Sequence, residues 1–251
     1  MGAPANPIVV IPSRLAATRL PSKPLADIHG EPMIVHVWRR AIEADIGPVL
    51  VACGDQPIAR AIEAVGGTAI LTLADHPTGS DRIFEAIQRV DAQQRHDAII
   101  NIQGDLPTIE PAAIRRAFAP LVEDGVDIAT IATEIKDETE RHDPNVVKAV
   151  IALKPGATIG RALYFTRLTA PGGPGPHYHH IGLYAYRRAA LARFVGLPQA
   201  PLEKRERLEQ LRALEDGMRI DVALVDTVPL GVDTPADLAR ARELLAPQRA
   251  R

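Results

Sequence analysis

The chain has 251 residues, of which 46% are hydrophobic and 24% charged, a composition typical of a globular protein and not of a disordered one. Its net charge of −2 provides no bulk positive field that would attract nucleic acid or a membrane surface. The one cysteine, Cys53, cannot form an internal disulfide, and no apolar run approaches the ~20 residues that span a bilayer. No basic segment typical of a signal peptide precedes the first apolar run, so we expect a soluble, cytoplasmic protein.

Short apolar runs alternate with amphipathic segments along the first half of the chain. Strand–helix alternation of this kind favours a mostly parallel sheet with helices on both faces. Ser80 is the predicted N-cap of the third helix. In chain order, the pattern predicts strands at 7–11, 48–52, 68–71, 97–102 and 126–132, and helices at 32–44, 57–65, 80–94 and 111–123.

The pattern changes after Asp143, where strands follow one another without an intervening helix. We therefore predict one α/β domain over residues 1–251, a doubly wound and mostly parallel sheet, with a strand-rich insertion at about 144–190. The elements predicted here are strands at 146–153, 162–167 and 181–186, a helix from 189, a charged helix at 202–216, a strand at 220–225 and a closing helix at 234–245.

A loop rich in positive charge follows the first strand directly. It contains Arg14, Arg19 and Lys23. Ligands of open α/β sheets bind beyond the carboxyl ends of the strands, and guanidinium and ammonium groups there suit a polyphosphate. The alternative is a solvated basic loop. No G-x-x-x-x-G-K-[ST] or G-x-G-x-x-G motif occurs, so kinase and dinucleotide-dependent functions lack their usual sequence support.

Two other loops each contain an acidic residue, whose charge is opposite to that of this cationic loop. Asp105 follows an apolar strand, and Asp233 precedes the closing helix. Magnesium usually binds one or two carboxylates together with substrate phosphates, so the two acids predict a metal–triphosphate site. The structural alternatives are a Gly-Asp turn at Asp105 and, in the second loop, an N-cap at Thr234 with Pro235 as the first helical residue.

Two further polar segments are candidates for ligand contacts. The loop that ends in Ser80–Arg82 opens a helix and could bind a base or a phosphate, although helix capping alone explains Ser80. His180 and Tyr184 share one face of a predicted strand because strands have a period of two. An acidic, hydroxyl-rich substrate could use both with a nearby arginine; a packed core strand is the alternative.

Nine segments, taken in their order along the chain, together form a specific pattern. They are IPSRLAATRLPSKPL, PMIVHVWRRA, HPTGSDR, NIQGDLP, PNVVKAV, ALYFTR, HHIGLYAYR, PLEKRERLEQLRALEDG and GVDTPADL. This pattern resembles that of the CTP:3-deoxy-manno-octulosonate cytidylyltransferases. The resemblance runs from Ile8 to Leu245 and implies a fold like that of nucleotide-sugar pyrophosphorylases, a homodimer and a need for Mg²⁺. It also implies activation of the eight-carbon acid sugar with CTP for lipopolysaccharide biosynthesis.

The same resemblance implies roles for individual residues. Arg14 and Lys23 would bind the CTP phosphates, with Arg19 beside them, and Asp105 and Asp233 would hold the magnesium ion. Arg14, Lys23, Asp105 and Asp233 would thus form the catalytic set. Residues implied near the nucleotide are Ser80, Arg82 and Gln103; those implied at the sugar acid are Arg167, His180, Tyr184, Glu209 and Gln210.

The chain also departs from the family's pattern, and other functions stay open. Leu106 stands where the family usually has glutamate, Thr166 replaces the usual serine, and the loop Leu168–Tyr178 is short. One alternative is CMP-sialate synthesis, another cytidylyl transfer to a keto-acid sugar. The other is a non-catalytic nucleotide-binding module, against which the two carboxylates argue because a pure binder needs no metal pair.

Overall fold

The computed structural model describes residues 2–16 and 19–247, which form two compact units. The N-terminal unit comprises the described residues of 7–95, 101–114 and 229–247, and the central unit comprises 2–6, 96–100 and 115–228. Sequence analysis predicted one domain with an insertion at about 144–190; that segment lies inside the larger central unit. Because each unit is assembled from separate stretches of chain, no single break in the sequence marks the division.

Strands and helices alternate through residue 122, and strands dominate the segment from 128 to 187. None of the helices in the described part of the chain has the length and apolar character needed to cross a bilayer. The helices are α1 (Met33–Glu43), α2 (Gln56–Glu63), α3 (Gly79–Val90), α4 (Pro111–Phe118), α5 (Glu138–His142), α6 (Arg188–Gly196), α7 (Pro201–Glu206), α8 (Leu211–Glu215) and α9 (Pro235–Leu244), with 3-10 helices at Lys23–Leu25 and Ala119–Val122. The strands are β1 (Pro7–Ser13), β2 (Asp27–Ile28), β3 (Glu31–Pro32), β4 (Val49–Cys53), β5 (Thr68–Leu71), β6 (Ala98–Asn101), β7 (Ile128–Glu134), β8 (Lys148–Ala152), β9 (Ile159–Thr166), β10 (Tyr178–Arg187) and β11 (Ile220–Leu224).

The N-terminal unit is built on parallel strands in the order β5-β4-β1. Val9 lies opposite Val49, and Leu50 lies opposite Thr68. Both β1 and β4 are buried along nearly their whole length, as expected of parallel strands covered by helices. The helices α1, α2 and α3 pack against these strands, so the carboxyl ends of β1 and β4 stay available for a ligand site.

The central unit contains a mixed sheet, which corrects the prediction of a mostly parallel one. The strand β7 pairs in parallel with β11 but antiparallel with β10. The strand β9 is antiparallel to both β11 and β8. Between β7 and β10, the one intervening helix is the five-residue α5. A parallel crossover needs a dozen or more residues, usually with a helix, and connections without one therefore produce antiparallel pairs.

The predicted charged helix at 202–216 is wrong, because the chain forms two short helices there. Arg207 ends α7 in the left-handed region at φ 57°, and α8 begins at Leu211. The buried carboxylate of Glu203 accepts hydrogen bonds from the Ala200 N–H at 3.1 Å and from Arg212 Nε at 2.9 Å. This buried ion pair links α7 to α8 across the break, and Glu209 and Gln210 lie in the break.

Candidate active site

A polar cleft of about 440 Å³ lies in the N-terminal unit, at the carboxyl end of β1. Its lining joins the cationic loop after β1 to the loop after β6 and to the loop before α9. This is the edge of the sheet at which open α/β folds bind ligands. The site residues predicted from sequence that line it are Arg14, Arg19, Lys23, Arg82, Gln103, Asp105 and Asp233.

Lys23 connects the two acidic residues that sequence analysis assigned to a metal. Its Nζ atom lies 2.8 Å from Asp105 Oδ2 and 2.9 Å from Asp233 Oδ1. Burial lowers the pKa of Lys23, but the charges and hydrogen bonds of both carboxylates outweigh it and the net pKa is raised. Arg19 donates to Asp233 Oδ2 at 2.9 Å. The two carboxylates therefore converge on one cationic point.

Backbone contacts hold the two acidic loops together. The Val232 N–H donates to the Asp105 carbonyl at 3.0 Å, and Val232 itself is buried in a small apolar cluster with Met33 and Leu238. Gly104 lies so close to β1 that a Cβ atom there would be 2.7 Å from the Pro12 carbonyl oxygen. Only glycine permits this approach, which brings Asp105 to the end of β1.

The predicted N-cap of α3 is corrected by the structure. Thr78, and not Ser80, caps this helix: its hydroxyl accepts from the Asp81 N–H at 3.2 Å. Ser80 lies inside the first turn with 3% exposure and does not line the cleft. The choice between neighbouring Thr and Ser caps depends on where the chain turns into the helix, which the local sequence leaves open.

Arg82 reaches the cleft but is bound by the protein itself. Its guanidinium donates to Thr72 Oγ1 at 2.6 Å and to the carbonyls of Leu73 and Ala74 at 2.9 and 3.1 Å. Burial, and then the charge of Arg14, lower its pKa. This guanidinium thus fixes the backbone of residues 72–74 at the rim of the cleft while adding positive charge beside Arg14.

His76 also lines the cleft, although sequence analysis gave this residue of the HPTGSDR loop no role of its own. Its Nε2 is hydrogen-bonded to the Glu85 carboxylate, and its carbonyl oxygen accepts from Arg14 Nη1 at 3.5 Å. Burial raises the pKa of Glu85, but hydrogen bonds from His76 and the Leu73 N–H and the charge of Arg89 outweigh it, and the net pKa is lowered. No local spacing rule predicts this pair, because His76 precedes α3 and lies nine residues before Glu85.

The donor set fits a magnesium ion that also binds substrate oxygens. In residues 2–16 and 19–247, no group of three or more His, Cys, Asp or Glu side chains could hold a metal by itself. Asp105 and Asp233, however, already converge on one cation, the ammonium of Lys23. One or two carboxylates are the usual protein share of a magnesium site that is completed by phosphates and water.

His180 and Tyr184 lie side by side in the central unit, as predicted. Their ring centroids are 5.5 Å apart, and the centroid of the Phe165 ring lies 4.7 Å from that of His180. Burial, and then the charge of His179, lower the pKa of His180 to about 3. Burial, followed by Tyr186 and Glu209, raises the pKa of Tyr184 well above its ordinary value. Both side chains are therefore neutral at physiological pH.

The remaining residues predicted at the sugar acid occupy the same central unit. Arg167 Nε donates to the Glu206 carbonyl and its Nη1 donates to the Pro144 carbonyl, both at 3.0 Å. Gln210 is 5% exposed, and its buried Nε2 has no hydrogen-bond partner in the described part of the chain. Glu209 lies close enough to Tyr184 to affect its pKa. A buried amide donor without a partner is the kind of group that a bound ligand satisfies.

Known proteins resemble this chain over nearly its whole length. A family model described as "Cytidylyltransferase" matches residues 8–220. A 3-deoxy-manno-octulosonate cytidylyltransferase from Rhodospirillum centenum is 69% identical over 98% of this chain and 96% of its own. The corresponding protein from Paramagnetospirillum magneticum is 66% identical over 96% of this chain and 98% of its own. The chain belongs to the 3-deoxy-manno-octulosonate cytidylyltransferase family.

A solved structure extends this cytidylyltransferase assignment to the fold. The CMP:2-keto-3-deoxy-manno-octonic acid synthetase complexed with CTP has a TM-score of 0.89 and 38% identity, covering 96% of this chain and 99% of its own. A nucleotidyl transferase from Methanothermobacter, at 15% identity, shares the fold with a TM-score of 0.61. The family and the α/β class predicted from sequence are confirmed.

Proposed function

We propose that this chain transfers the cytidylyl group of CTP to 3-deoxy-manno-octulosonate, releasing pyrophosphate, in lipopolysaccharide biosynthesis. The observation that carries the proposal is the convergence of Asp105 and Asp233 on Lys23 in a cleft that also presents Arg14 and Arg19. Family membership supports the same reaction, since its relatives carry that activity in their names.

The triphosphate of CTP binds against the cationic loop after β1. Within residues 2–16 and 19–247, Arg14 makes one long hydrogen bond, of 3.5 Å to a carbonyl, and Arg19 pairs with Asp233 through a side chain that is 66% exposed. A weak contact and an exposed ion pair are both readily exchanged for phosphate oxygens, to which guanidinium groups donate bidentately. Lys23 contributes a point charge in the interior of the same cleft, and Gln103 and Arg82 line it near the base or the phosphates.

Asp105 and Asp233 are the residues that would hold a magnesium ion accompanying the triphosphate. Such an ion would supply Lewis-acid polarisation of the α-phosphate and a lower pKa for the attacking hydroxyl. Lys23 would exchange part of its contact with the two carboxylates for contact with phosphate oxygens.

In the transfer step, the anomeric hydroxyl of the sugar acid forms a bond to the α-phosphorus while the bond to the β-phosphate oxygen breaks. The proton of the hydroxyl passes to solvent, and pyrophosphate leaves. Arg14 and Lys23 stabilise the negative charge that develops on the departing pyrophosphate. Positioning and charge stabilisation dominate this class of phosphoryl chemistry, so no side-chain base is assigned.

The sugar acid is bound by residues of the central unit. Arg167 supplies a cation for its carboxylate, and the neutral His180 and Tyr184 hydrogen-bond to its hydroxyls. The unpartnered Nε2 of Gln210 donates to a sugar oxygen, and Glu209 accepts from a hydroxyl. The orphaned buried donor of Gln210 is the strongest support for this assignment.

The experiment that tests the function is a pyrophosphate-release assay with each substrate varied. We expect turnover with CTP and 3-deoxy-manno-octulosonate in the presence of magnesium. ATP and GTP in place of CTP, and a sialic acid in place of the eight-carbon sugar, are expected to give far lower kcat/KM. Equal turnover with ATP or GTP would contradict the cytidylyl assignment, and a preference for sialic acid would contradict the sugar. Binding of CTP without turnover would indicate a non-catalytic module.

We also propose that the protein works as a cytoplasmic homodimer. Leu163 and Leu168, both in the strand-rich insertion predicted at about 144–190, are 57% and 74% exposed. Contiguous exposed apolar patches mark interaction surfaces, and we assign these two leucines to one such surface. Light scattering coupled to size exclusion is expected to give twice the mass of the chain, and a shift towards monomer for the double variant Leu163→Ser and Leu168→Ser.

A further inference from the structure

An irregularity in β10 directs two backbone carbonyls at a buried threonine of β7. Ile181 pairs with Ile131 and Tyr184 pairs with Thr130, so the intervening residues of β10 bulge out of register. Thr130 is fully buried, and its Oγ1 lies 2.7 Å from the Leu183 carbonyl oxygen and 3.2 Å from the Ile181 carbonyl oxygen. The same Oγ1 lies 3.1 Å from His180 Nε2.

The hydroxyl of Thr130 has a single proton, and the chemistry of the neighbouring atoms determines which of them accepts it in a hydrogen bond. Carbonyl oxygens only accept, and two oxygens 2.7 Å apart require a hydrogen between them. Thr130 therefore donates to the Leu183 carbonyl. Its oxygen is then left as an acceptor towards His180, so Nε2 of the imidazole carries a hydrogen and donates it to Thr130.

The hydrogen bonds of Thr130 fix the tautomer of His180. Because burial and the charge of His179 lower its pKa to about 3, the ring is neutral and carries one proton. With that proton on Nε2, Nδ1 is a hydrogen-bond acceptor. Within the part of the chain that the structure describes, Nδ1 makes no hydrogen bond. The rings of Phe165 and Tyr184 flank the imidazole and hold its plane.

We propose that Thr130 is a positioning residue for the sugar acid: it holds His180 in the Nε2–H tautomer, so that Nδ1 accepts a hydrogen bond from a sugar hydroxyl. The proposal rests on the proposed function, which assigns His180 to the sugar acid. Thr130 itself touches no substrate. A histidine free to take the other tautomer would present a donor at Nδ1 and leave a donating hydroxyl without its acceptor.

The tautomer is tested directly by ¹⁵N NMR of the full chain labelled at histidine, with His180 assigned through the signals lost in His180→Gln. We expect a neutral His180 with hydrogen on Nε2 and a bare Nδ1. In Thr130→Val, which keeps the shape of the side chain and removes the hydroxyl, we expect the other tautomer to become populated. Hydrogen on Nδ1 in the unmodified protein would overturn the proposal.

Steady-state kinetics test the consequence for substrate binding. Thr130→Val is expected to raise the KM for 3-deoxy-manno-octulosonate about tenfold, the worth of one hydrogen bond, with the KM for CTP within about twofold of the parent value. Thr130→Ser restores the hydroxyl and is expected to restore the sugar KM. Thr133→Val makes the same chemical change in the same strand at the residue that pairs with His179, and it serves as the matched control because His180 Nε2 is hydrogen-bonded to Thr130 and not to Thr133.

The remaining outcomes separate a failure of the role proposed for Thr130 from a failure of the proposed function. An unchanged sugar KM in a folded Thr130→Val protein, or an equal rise in Thr133→Val, overturns the role of Thr130. If Thr130→Val does not fold, the role of Thr130 is tested by two other results: the tautomer of His180 in the unmodified protein and the sugar KM of Thr130→Ser. Absence of turnover in the unmodified protein contradicts the proposed function instead. The NMR experiment does not depend on turnover and still reports the tautomer of His180.

Discussion

At the scale of single residues, the cleft is organised by charge neutralisation around Lys23. Its ammonium lies 2.8 Å from Asp105 and 2.9 Å from Asp233, and Arg19 pairs with Asp233 as well. The two carboxylates are a third and a half exposed, so their ion pairs add little to stability. Their convergence is therefore better explained by ligand binding than by folding.

We predict that Asp105→Asn and Asp233→Asn each reduce kcat on the order of a thousandfold while the protein stays folded, because each removes a charge that the metal and the developing phosphate charge require. Pyrophosphate release at saturating CTP and magnesium measures the effect. Asp75→Asn, an exposed aspartate near the cleft that does not line it, is the matched control and is expected to keep the parent rate. A near-parental rate in either cleft variant would rule out the metal pair.

A second residue-scale prediction concerns Arg167. Two backbone carbonyls orient its guanidinium, and we expect Arg167→Ala to raise the KM for the sugar acid ten- to a hundredfold, the worth of a charge-assisted hydrogen bond. The KM for CTP is expected to stay within about twofold. Arg161→Ala removes an exposed arginine from β9, the strand that ends one residue before Arg167, and is expected to change neither constant. An unchanged sugar KM in Arg167→Ala would remove this residue from the sugar site.

At the scale of elements, the loop between β6 and α4 depends on close contact with the end of β1. Gly104 leaves no room for a side chain, because its Cβ would meet the Pro12 carbonyl at 2.7 Å and Ile34 Cδ1 at 3.3 Å. The Val232 N–H then anchors this loop to the one that carries Asp233. The geometry of the two carboxylates is thus a property of packed elements.

We predict that Gly104→Ala lowers the free energy of unfolding by about 1–3 kcal/mol, the usual cost of overpacking, and also reduces kcat because Asp105 is displaced. Urea unfolding and pyrophosphate release measure the two effects. Gly196→Ala is the matched control, since a Cβ there meets open space at the end of α6 and the helix gains propensity. Parental kcat in Gly104→Ala would show that the carboxylates tolerate a shift of this loop.

At the scale of the whole molecule, the buried His180 makes one contribution to the pH dependence of stability. Its pKa falls from about 6.5 in the unfolded chain to about 3 in the folded protein, so the unfolded state binds more protons between these values. Stability contributed by the neutral ring is therefore complete above pH 6.5 and is lost as the pH falls. Where the unfolded chain binds one proton more than the folded protein, the free energy of unfolding changes by about 1.4 kcal/mol per pH unit.

We predict that, between pH 6 and pH 4.5, the free energy of unfolding declines more steeply for the parent protein than for His180→Gln. The difference in slope approaches 1.4 kcal/mol per pH unit at the acidic end of this range, because the unfolded histidine is then nearly fully protonated. Urea titrations of both proteins at several pH values measure it. Parallel slopes would mean that His180 is protonated as readily in the folded protein as in the unfolded chain.

Sequence alone determined the family, the order of most elements and the loops that supply Arg14, Lys23, Asp105 and Asp233. These depend on local signals: the period of apolar residues, turn residues and short motifs in a fixed order. The cap at Thr234 was also predictable, and the structure confirms it with a capping box to Asp237. Local patterns specify such features because the interacting atoms are close along the chain.

Tertiary structure alone decided how distant groups meet. The break at Arg207 depends on the buried pair of Glu203 and Arg212, whose partners lie nine positions apart and whose burial no local pattern shows. The mixed sheet of the central unit depends on which strands become neighbours. The tautomer of His180 depends on Thr130 and on carbonyls that a bulge directs at it. Each of these is set by contacts between parts of the chain that become neighbours only when the backbone has folded, so the sequence pattern around each residue carries no record of them.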